Sequence, residues 1–378
     1  MKVCVVGLRG IPGVMGGIEK HCEQIYPRIA ALKAGVDLVI TGRSPYLTSA
    51  NSKHQDVEVV SLWTLRNKYF ETILHTFIAI FYARFIARAD LVHIHAIGPG
   101  LFAPLARLLG MKVVVTHHGA DYQRQKWSAF AKWLLRQGEA MAIAASHATI
   151  VVGATLCEAL KQQYPAHQDK LLYIPNGADV GPRAGADQLR HHPVLAQFGL
   201  KPGQYVLSVG RLVPEKGFQD LVQAVRAAQL PYPLVIAGAS DHPDEFSRGL
   251  LQQQSDQILF VGFQRGDALH ALFANAALFV LASYHEGLPI AALEALSFGI
   301  PVLLSDIGPN LDVQLPATCY FPVGNTEALA AKLAVASYEQ YQANTQRILE
   351  QFDWDDIAER TLRLYTRTEA APQQLGSS

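Results

Sequence analysis

The chain has 378 residues, half of them hydrophobic and 17% charged, with 32 basic and 32 acidic side chains. That composition excludes a disordered, collagen-like or disulfide-stapled protein and leaves room for two domains of ordinary size. The balanced total hides an asymmetry: residues 1–178 carry 19 Lys and Arg against 11 Asp and Glu, a net +8, and residues 179–378 carry 13 against 21, a net −8. A basic half suits an anionic surface. The four cysteines, Cys4, Cys22, Cys157 and Cys319, form no C-x-x-C pair and read as reduced thiols in a reducing compartment. Lys2 is followed by a short strand and glycines rather than by the apolar core of a signal peptide, so a cytoplasmic location is expected.

In chain order, short Val, Ile and Leu-rich runs recur at Lys2–Gly7, Val36–Gly42, Val57–Trp63, Leu91–Ala96, Lys112–Thr116, Thr149–Gly153 and Leu171–Pro175, then at Tyr205–Gly210, Pro233–Gly238, Ile258–Phe263, Ala277–Ser283 and Pro301–Ser305. Helical patterns lie between them. Runs with little alternation are strands of a parallel sheet buried on both faces, and strands alternating with helices imply βαβ units. The series breaks between about Asn176 and Gln204, a stretch rich in Gly, Pro and polar residues. The fold class is therefore α/β, two doubly wound Rossmann-like domains facing a cleft, with boundaries at 1–176 and 177–352, a C-terminal helix at 353–367 and a disordered tail at 368–378. The most membrane-like stretch, Tyr69–Ala89, has its longest uncharged run at Thr72–Ala83, too short to span a bilayer. It reads as a largely buried helix with basic residues towards its C-terminal end.

In such sheets ligands bind beyond the carboxyl ends of the strands, so the loops after the runs carry the chemistry. The first loop, Gly7-Leu-Arg-Gly-Ile-Pro-Gly-Val-Met-Gly-Gly-Ile-Glu-Lys-His, is longer than a dinucleotide fingerprint, and its Gly16–Gly17 pair lets the backbone approach a ligand closely. His93 and His95 fall within a strand and read as structural, whereas His118 lies just past one, in Thr116-His-His-Gly-Ala-Asp-Tyr-Gln-Arg-Gln-Lys-Trp. In Ser208-Val-Gly-Arg-Leu-Val-Pro-Glu-Lys-Gly, Arg211 can grip phosphate oxygens bidentately and Lys216 adds a point charge. Together they can stabilise a departing diphosphate where other enzymes use a metal. Ser283-Tyr-His-Glu-Gly-Leu-Pro-Ile-Ala-Ala-Leu-Glu follows a strand, and Pro289 suits the first helical position. The amides of Gly287, Leu288, Ile290 and the turn that follows can receive a phosphate. Glu286, before that helix, and Glu294, more than a turn inside it, can accept hydrogen bonds from two hydroxyl-bearing units of one ligand, as the ribose and hexose of a nucleotide sugar provide. The D-x-D of Asp353 and Asp355 precedes a helical pattern, so it reads as a helix start, and no metal ligand is assigned.

These segments resemble glycosyltransferase family 4, the large family of GT-B enzymes. Glu286 and Glu294 fill its E-x7-E motif, Arg211 and Lys216 its G-R-[LF]-x-x-x-K-G motif, and His118, Asp121, Arg124, Lys126 and Trp127 its H-G-x-D-x-x-R-x-K-W stretch. The resemblance implies that Glu286 touches the donor sugar and Glu294 the ribose, and that Gly16 and Gly17 lie near the diphosphate. It places His118 near the reacting sugar, and turns Asp121, Arg124, Lys126 and Trp127 towards the acceptor. It also implies that the last helix crosses back to the N-terminal domain. The R-G-I-P-x-x-x-G-G-x-E form resembles a subgroup attached to bacterial surface-polysaccharide assembly. The expected activity is retaining, metal-independent transfer of a hexose from a nucleotide-diphosphate sugar, with no cofactor. The acceptor is a saccharide or a lipid-linked saccharide at the cytoplasmic face of an anionic inner membrane; no nucleic acid partner is expected. Two rivals are a nucleotide-sugar 2-epimerase, which a product assay with donor alone separates, and a non-catalytic nucleotide-sugar-binding protein, which turnover with an acceptor excludes.

Overall fold

A computed structural model describes residues 1–65, 70–123, 128–179, 186–240 and 243–370. The chain divides into two compact units: Met1–Asn176 with the chain from Trp354 onward, and Gly177–Asp353. The first holds β1 (Lys2–Val6), β2 (Asp37–Arg43), β3 (Asn51–His54), β4 (Val57–Leu62), β5 (Leu91–His95), β6 (Lys112–His117), β7 (Ala148–Val151) and β8 (Leu171–Tyr173), in the order β3-β4-β2-β1-β5-β6-β7-β8. The second holds β9 (Val206–Val209), β10 (Leu234–Ala237), β11 (Ile258–Gly262), β12 (Leu278–Leu281), β13 (Val302–Ser305) and β14 (Tyr320–Phe321), in the order β11-β10-β9-β12-β13-β14. Every pairing is parallel except β3 with β4. Both sheets are thus doubly wound, and in each the winding reverses at one place: between β1 and β5, and between β9 and β12.

All twelve apolar runs are strands. The two further strands had no apolar signal to give: β3 is the polar, largely exposed Asn-Ser-Lys-His on an edge, and β14 is two residues long. The junction is not unbroken loop, since Ala186–Arg190 and Pro193–Gln197 are short helices within it. The C-terminal helix runs Trp354–Ala370, so Thr368, Glu369 and Ala370, expected in a tail, are helical. The rest of that tail lies outside the described residues. This helix packs on the first unit: Arg28 pairs with Asp355 at 2.8 Å and Arg360 donates to the Tyr173 carbonyl at 2.7 Å. Trp354 lies edge-on to His21, with ring centroids 5.6 Å apart.

The segment after β4 corrects the sequence reading. Tyr69 lies outside the described residues; Glu71–Phe81 is α-helix and continues as one π-helical stretch, Tyr82–Ile86. It is not largely buried. Its inner face carries Glu71, His75, Thr76, Ala79, Ile80 and Ala83, of which Ala79, Ile80 and Ala83 share a core cluster with Ala103 and Ala106. The bulky residues Phe77, Phe81 and Phe85, four apart, lie on the other face with Ile86, and Phe85 and Ile86 are 60% and 69% exposed. Arg84 and Arg88 are exposed beside them. No helix among the described residues is long and apolar enough to cross a membrane.

Candidate active site

The reversal between β9 and β12 brings together the loops that carry the two densest motifs. Ser208 of β9 donates its hydroxyl to the Val280 carbonyl at 2.7 Å, tying the two strands near their carboxyl ends. Beyond β9 the chain turns through a 3-10 helix, Pro214–Lys216, and Gly217 starts the helix Phe218–Ala228. Gly217 sits at φ +65°, and any Cβ there would collide with the Ala282 carbonyl, so only glycine lets this turn press against the end of β12. Tyr284 N–H donates to the Glu215 carbonyl at 2.9 Å and its hydroxyl to Asp220 at 2.5 Å. The loops are thereby held in register, and Lys216 Nζ reaches Glu286 Oε1 at 2.6 Å. Ser283 Oγ donates to the same carboxylate oxygen at 2.6 Å. Ser283 is itself anchored, because its carbonyl accepts from Ser305, which Asn310 holds in turn. Lys216 and Glu286 side chains are 19% and 10% exposed, so solvent screens the pair little. One ammonium bond to Glu286 leaves two N–H donors for a ligand.

The helix after this loop is Ile290–Ser297, with Pro289 at its N-cap rather than at its first helical position. The cap carbonyl accepts from Ala292 and Leu293, so the amides of Ile290 and Ala291 precede the first helical bond. Gly287 stands half-buried just upstream, with Leu288 and Ile290 buried on either side of the cap. Glu294 and Arg211 are both half-buried. Arg211, Lys216, Glu286 and Glu294 thus all belong to the two segments that follow β9 and β12 in the second unit.

In the first unit the corresponding reversal holds a different chemistry. Gly16 caps the helix Gly17–Ala31 at φ +149°, where a Cβ would meet the carboxylate of Glu19 and the guanidinium of Arg9. The loop is clamped from within. Glu19 accepts from the backbone N–H of Arg9 at 3.0 Å and from its guanidinium at 3.1 and 3.2 Å, and Glu23 accepts from Gly13 N–H at 3.0 Å. Burial pushes the Glu19 carboxyl up, but the Arg9 charge and these bonds outweigh it and hold the group below its usual value.

His93 and His95, two apart on β5, face the same side of the sheet and stack with centroids 4.4 Å apart. Buried Tyr26, from the helix Gly17–Ala31, lies against both: its hydroxyl is 2.9 Å from His93 Nδ1 and 2.5 Å from His95 Nε2. His93 also meets the Tyr365 hydroxyl at 2.6 Å and Thr116 Oγ1 at 2.7 Å. His95 Nδ1 continues to His118 Nε2 at 2.8 Å. A neutral imidazole has one donor and one acceptor, so this row of bonds has a single sense throughout. Run from His118, it reads His118 N–H to His95, His95 N–H to Tyr26, Tyr26 O–H to His93 and His93 N–H to Thr116. Burial lowers the basicity of each histidine in it: His93 titrates at about 3, and His95 and His118 well below the ordinary 6.5. His21, bonded to Asn176 at 3.0 Å, is lowered by burial to about 4. The neighbouring His117 has a fixed tautomer, since Nδ1 accepts from Gly119 N–H at 3.2 Å and Nε2–H donates to buried Glu139 at 2.8 Å.

The structure therefore places His118 at the end of a buried row that also contains the two strand histidines, which the sequence reading had set apart as structural. Asp121 lies in a short 3-10 turn, Asp121–Gln123, just beyond. Arg124, Lys126 and Trp127 lie outside the described residues. The sequence reading missed Arg9, His21, Tyr26, His117, Glu139 and Asn176. Of these, the H-H doublet at 117–118 gave a signal, but nothing local shows which of the two faces the row. Of the D-x-D acids, Asp355 pairs with Arg28, and the adjacent Asp356 pairs with Arg360 at 3.5 Å.

The neutral row has a consequence for stability. His21, His93, His95 and His118 bind protons more weakly folded than unfolded, so below the ordinary value of 6.5 the unfolded chain takes up protons that the folded chain refuses. Stability is fully present above that value and is lost as pH falls from 6.5 towards about 4. Thermal melting followed by circular dichroism should give a Tm several degrees lower at pH 5 than at pH 7.5; an unchanged or higher Tm at pH 5 contradicts the neutral assignment.

Two family models divide the chain between them: one described as Glycosyltransferase Family 4 matches residues 15–181, and one described as Glycosyl transferases group 1 matches residues 196–347. Among curated relatives, the alpha-maltose-1-phosphate synthase of Mycolicibacterium smegmatis is 29% identical over 314 residues, covering 75% of this chain and 80% of its own. The O-antigen chain mannosyltransferase B of Escherichia coli is 27% identical, covering 53% of this chain and 55% of its own. Among solved structures, the sucrose-phosphate synthase of Thermosynechococcus elongatus superposes with a TM-score of 0.81 at 23% identity, covering 98% of this chain and all of its own. HepE of Anabaena, solved with UDP-glucose, gives 0.75 at 18% identity, covering 97% and 100%. The two motif-bearing units, the matching models and these likenesses converge: the chain belongs to glycosyltransferase family 4 and is a hexosyltransferase of the GT-B fold.

Proposed function

We propose that the enzyme transfers a hexose, with retention, from a nucleotide-diphosphate sugar to a saccharide or lipid-linked saccharide, without a metal ion, in the assembly of a bacterial surface polysaccharide. The observation that carries this reading is the Lys216–Glu286 pair, a cation and an anion fixed 2.6 Å apart between the two loops at the β9/β12 reversal. A nucleotide sugar offers the complementary series: hydroxyls, a diphosphate, then a ribose. In this reading Lys216 and Arg211 take the diphosphate with the amides around Pro289, Glu286 takes a hexose hydroxyl, and Glu294 takes the ribose. Gly16 and Gly17 are assigned to the diphosphate by the resemblance of their loop to that of the family. As the bond from the anomeric carbon to the phosphate oxygen breaks, its electron pair goes to the diphosphate, where the two cations stabilise it. The acceptor hydroxyl forms the new bond on the same face, and its proton goes to the departing phosphate. His118 lies near the reacting sugar. Asp121, Arg124, Lys126 and Trp127 receive the acceptor. The surface-polysaccharide role is supported by the R-G-I-P-x-x-x-G-G-x-E loop and by the likeness to an O-antigen mannosyltransferase.

A membrane-borne acceptor is supported by a separate observation. Phe77, Phe81, Phe85 and Ile86 form an exposed apolar face with Arg84 and Arg88 beside it, in the half of the chain that carries net positive charge. Such a face suits shallow insertion into the headgroup region of an anionic bilayer.

The donor and the membrane assignments are each open to test. Glu294→Ala should weaken binding of the free nucleoside diphosphate, while Glu286→Ala should leave it nearly unchanged and lower turnover instead. A lost hydrogen bond to a charged group costs about 1.5–3 kcal/mol, roughly tenfold or more. Lys216→Ala should lower turnover by roughly 10²–10³-fold, and excess EDTA should leave the wild type active. Calorimetry and transfer assays decide these points, and the reverse order of the two glutamates would turn the donor around. For the membrane, co-sedimentation with vesicles containing phosphatidylglycerol should be strong for the wild type and largely lost for a Phe85→Glu, Ile86→Glu variant. Equal binding by both would remove this face from the account.

A further inference from the structure

We propose that His21, His95 and His118 bind one divalent cation of the zinc class, as an inhibitory site within the first unit. The three residues come from three different elements: the helix after β1, the end of β5 and the loop after β6. Each offers one ring nitrogen, and these atoms all lie within 4.8 Å of one another. Two of the rings are already oriented by contacts outside the cluster. His21 Nδ1 is bonded to Asn176 Oδ1 at 3.0 Å; a side-chain amide oxygen only accepts, so Nδ1 carries the proton and the Nε2 lone pair is left to the cluster. His95 Nε2 is engaged by Tyr26, which leaves Nδ1 to the cluster. His118 Nε2 faces that same Nδ1 at 2.8 Å. An imidazole whose second nitrogen donates to a carbonyl or hydroxyl is the usual form of a metal ligand, because the second bond fixes the tautomer and the ring plane.

Zinc holds imidazole nitrogens at about 2.0–2.1 Å in a tetrahedron, so its ligands stand about 3.4 Å apart. The 2.8 Å edge between His95 and His118 must open slightly, and any edge approaching the 4.8 Å limit must close. The single proton shared on the 2.8 Å edge moves to His118 Nδ1 when the metal takes its place, so the three ligands bind neutral and no proton is lost. His21 and His95 are buried, whereas His118 is half-buried and gives the ion its way in, with the fourth position left to water.

Occupation would take His118 out of reaction. That consequence rests on the glycosyl-transfer reading; the binding itself does not. The test uses the full chain stripped with EDTA and desalted, titrated with Zn²⁺ by calorimetry and with Co²⁺ by visible absorption. The expected result is one equivalent bound at micromolar metal or below, with the intense visible bands of tetrahedral cobalt. His118→Asn removes a ligand. Asn176→Ala removes the bond that orients His21, and should weaken affinity about 10–100-fold while keeping all three histidines. No binding by the wild type, a cobalt spectrum like that of the hydrated ion, or equal affinity in wild type and both variants would overturn the proposal. Nucleoside diphosphate titrated in parallel without metal reports on the donor site, to which His21 and His95 are not assigned and whose sugar partner His118 it does not engage, so failure of the zinc site and failure of the transfer reading are distinguishable. If both readings hold, zinc inhibits transfer in the wild type and EDTA restores it.

Discussion

A parallel sheet wound in two directions has one place where neighbouring strands send their following loops to opposite faces, and the gap left there is open. In the second unit that place lies between β9 and β12, and the two loops that border it are the most motif-rich in the chain. The gap alone would not position a cation and an anion. It does so because Gly217 lets the first loop press against the end of β12, Tyr284 ties the second loop to the first, and Ser283 and Ser305 stiffen the strand ends beneath them. The Lys216–Glu286 contact is the outcome of these packing decisions. A charged pair so little exposed costs desolvation that a structural role seldom justifies, which argues that its place in the fold is set by what it binds.

The first unit solves the same topological problem with neutral groups. Behind the β1/β5 reversal the sheet face carries imidazoles and a phenol bonded one to the next, beside aliphatic neighbours such as Val5 and Val114. A fully partnered row of this kind is tolerable in a core, whereas a partly partnered one is not. Its members therefore depend on one another, and on Tyr365 of the C-terminal helix, which bonds His93. The last helix of the chain thus completes the interior of the first unit.

Much of this was legible in the sequence. Twelve strands declared themselves as short Val, Ile and Leu runs, because both faces of a parallel strand are buried. The two that did not, β3 and β14, are an exposed polar edge and a two-residue pairing, which leave no hydrophobic trace. The loops of the second unit were readable because phosphate and hydroxyl chemistry restricts residue type within one short segment. The histidine row was not, since bonded partners in it lie up to 272 positions apart and each alone is an ordinary buried polar residue. The exposed aromatic face between Phe77 and Ile86 escaped for a related reason: hydropathy registers how apolar a helix is, not which side its small residues occupy.

The account's central claim is that a nucleoside diphosphate is held by the loops after β9 and β12. Hydrogen exchange of the full-length protein with and without UDP, GDP and ADP tests it most directly. The account predicts that at least one of the three slows exchange in residues 208–218 and 283–297 together. Protection confined to other segments, or none with any nucleotide, would contradict it.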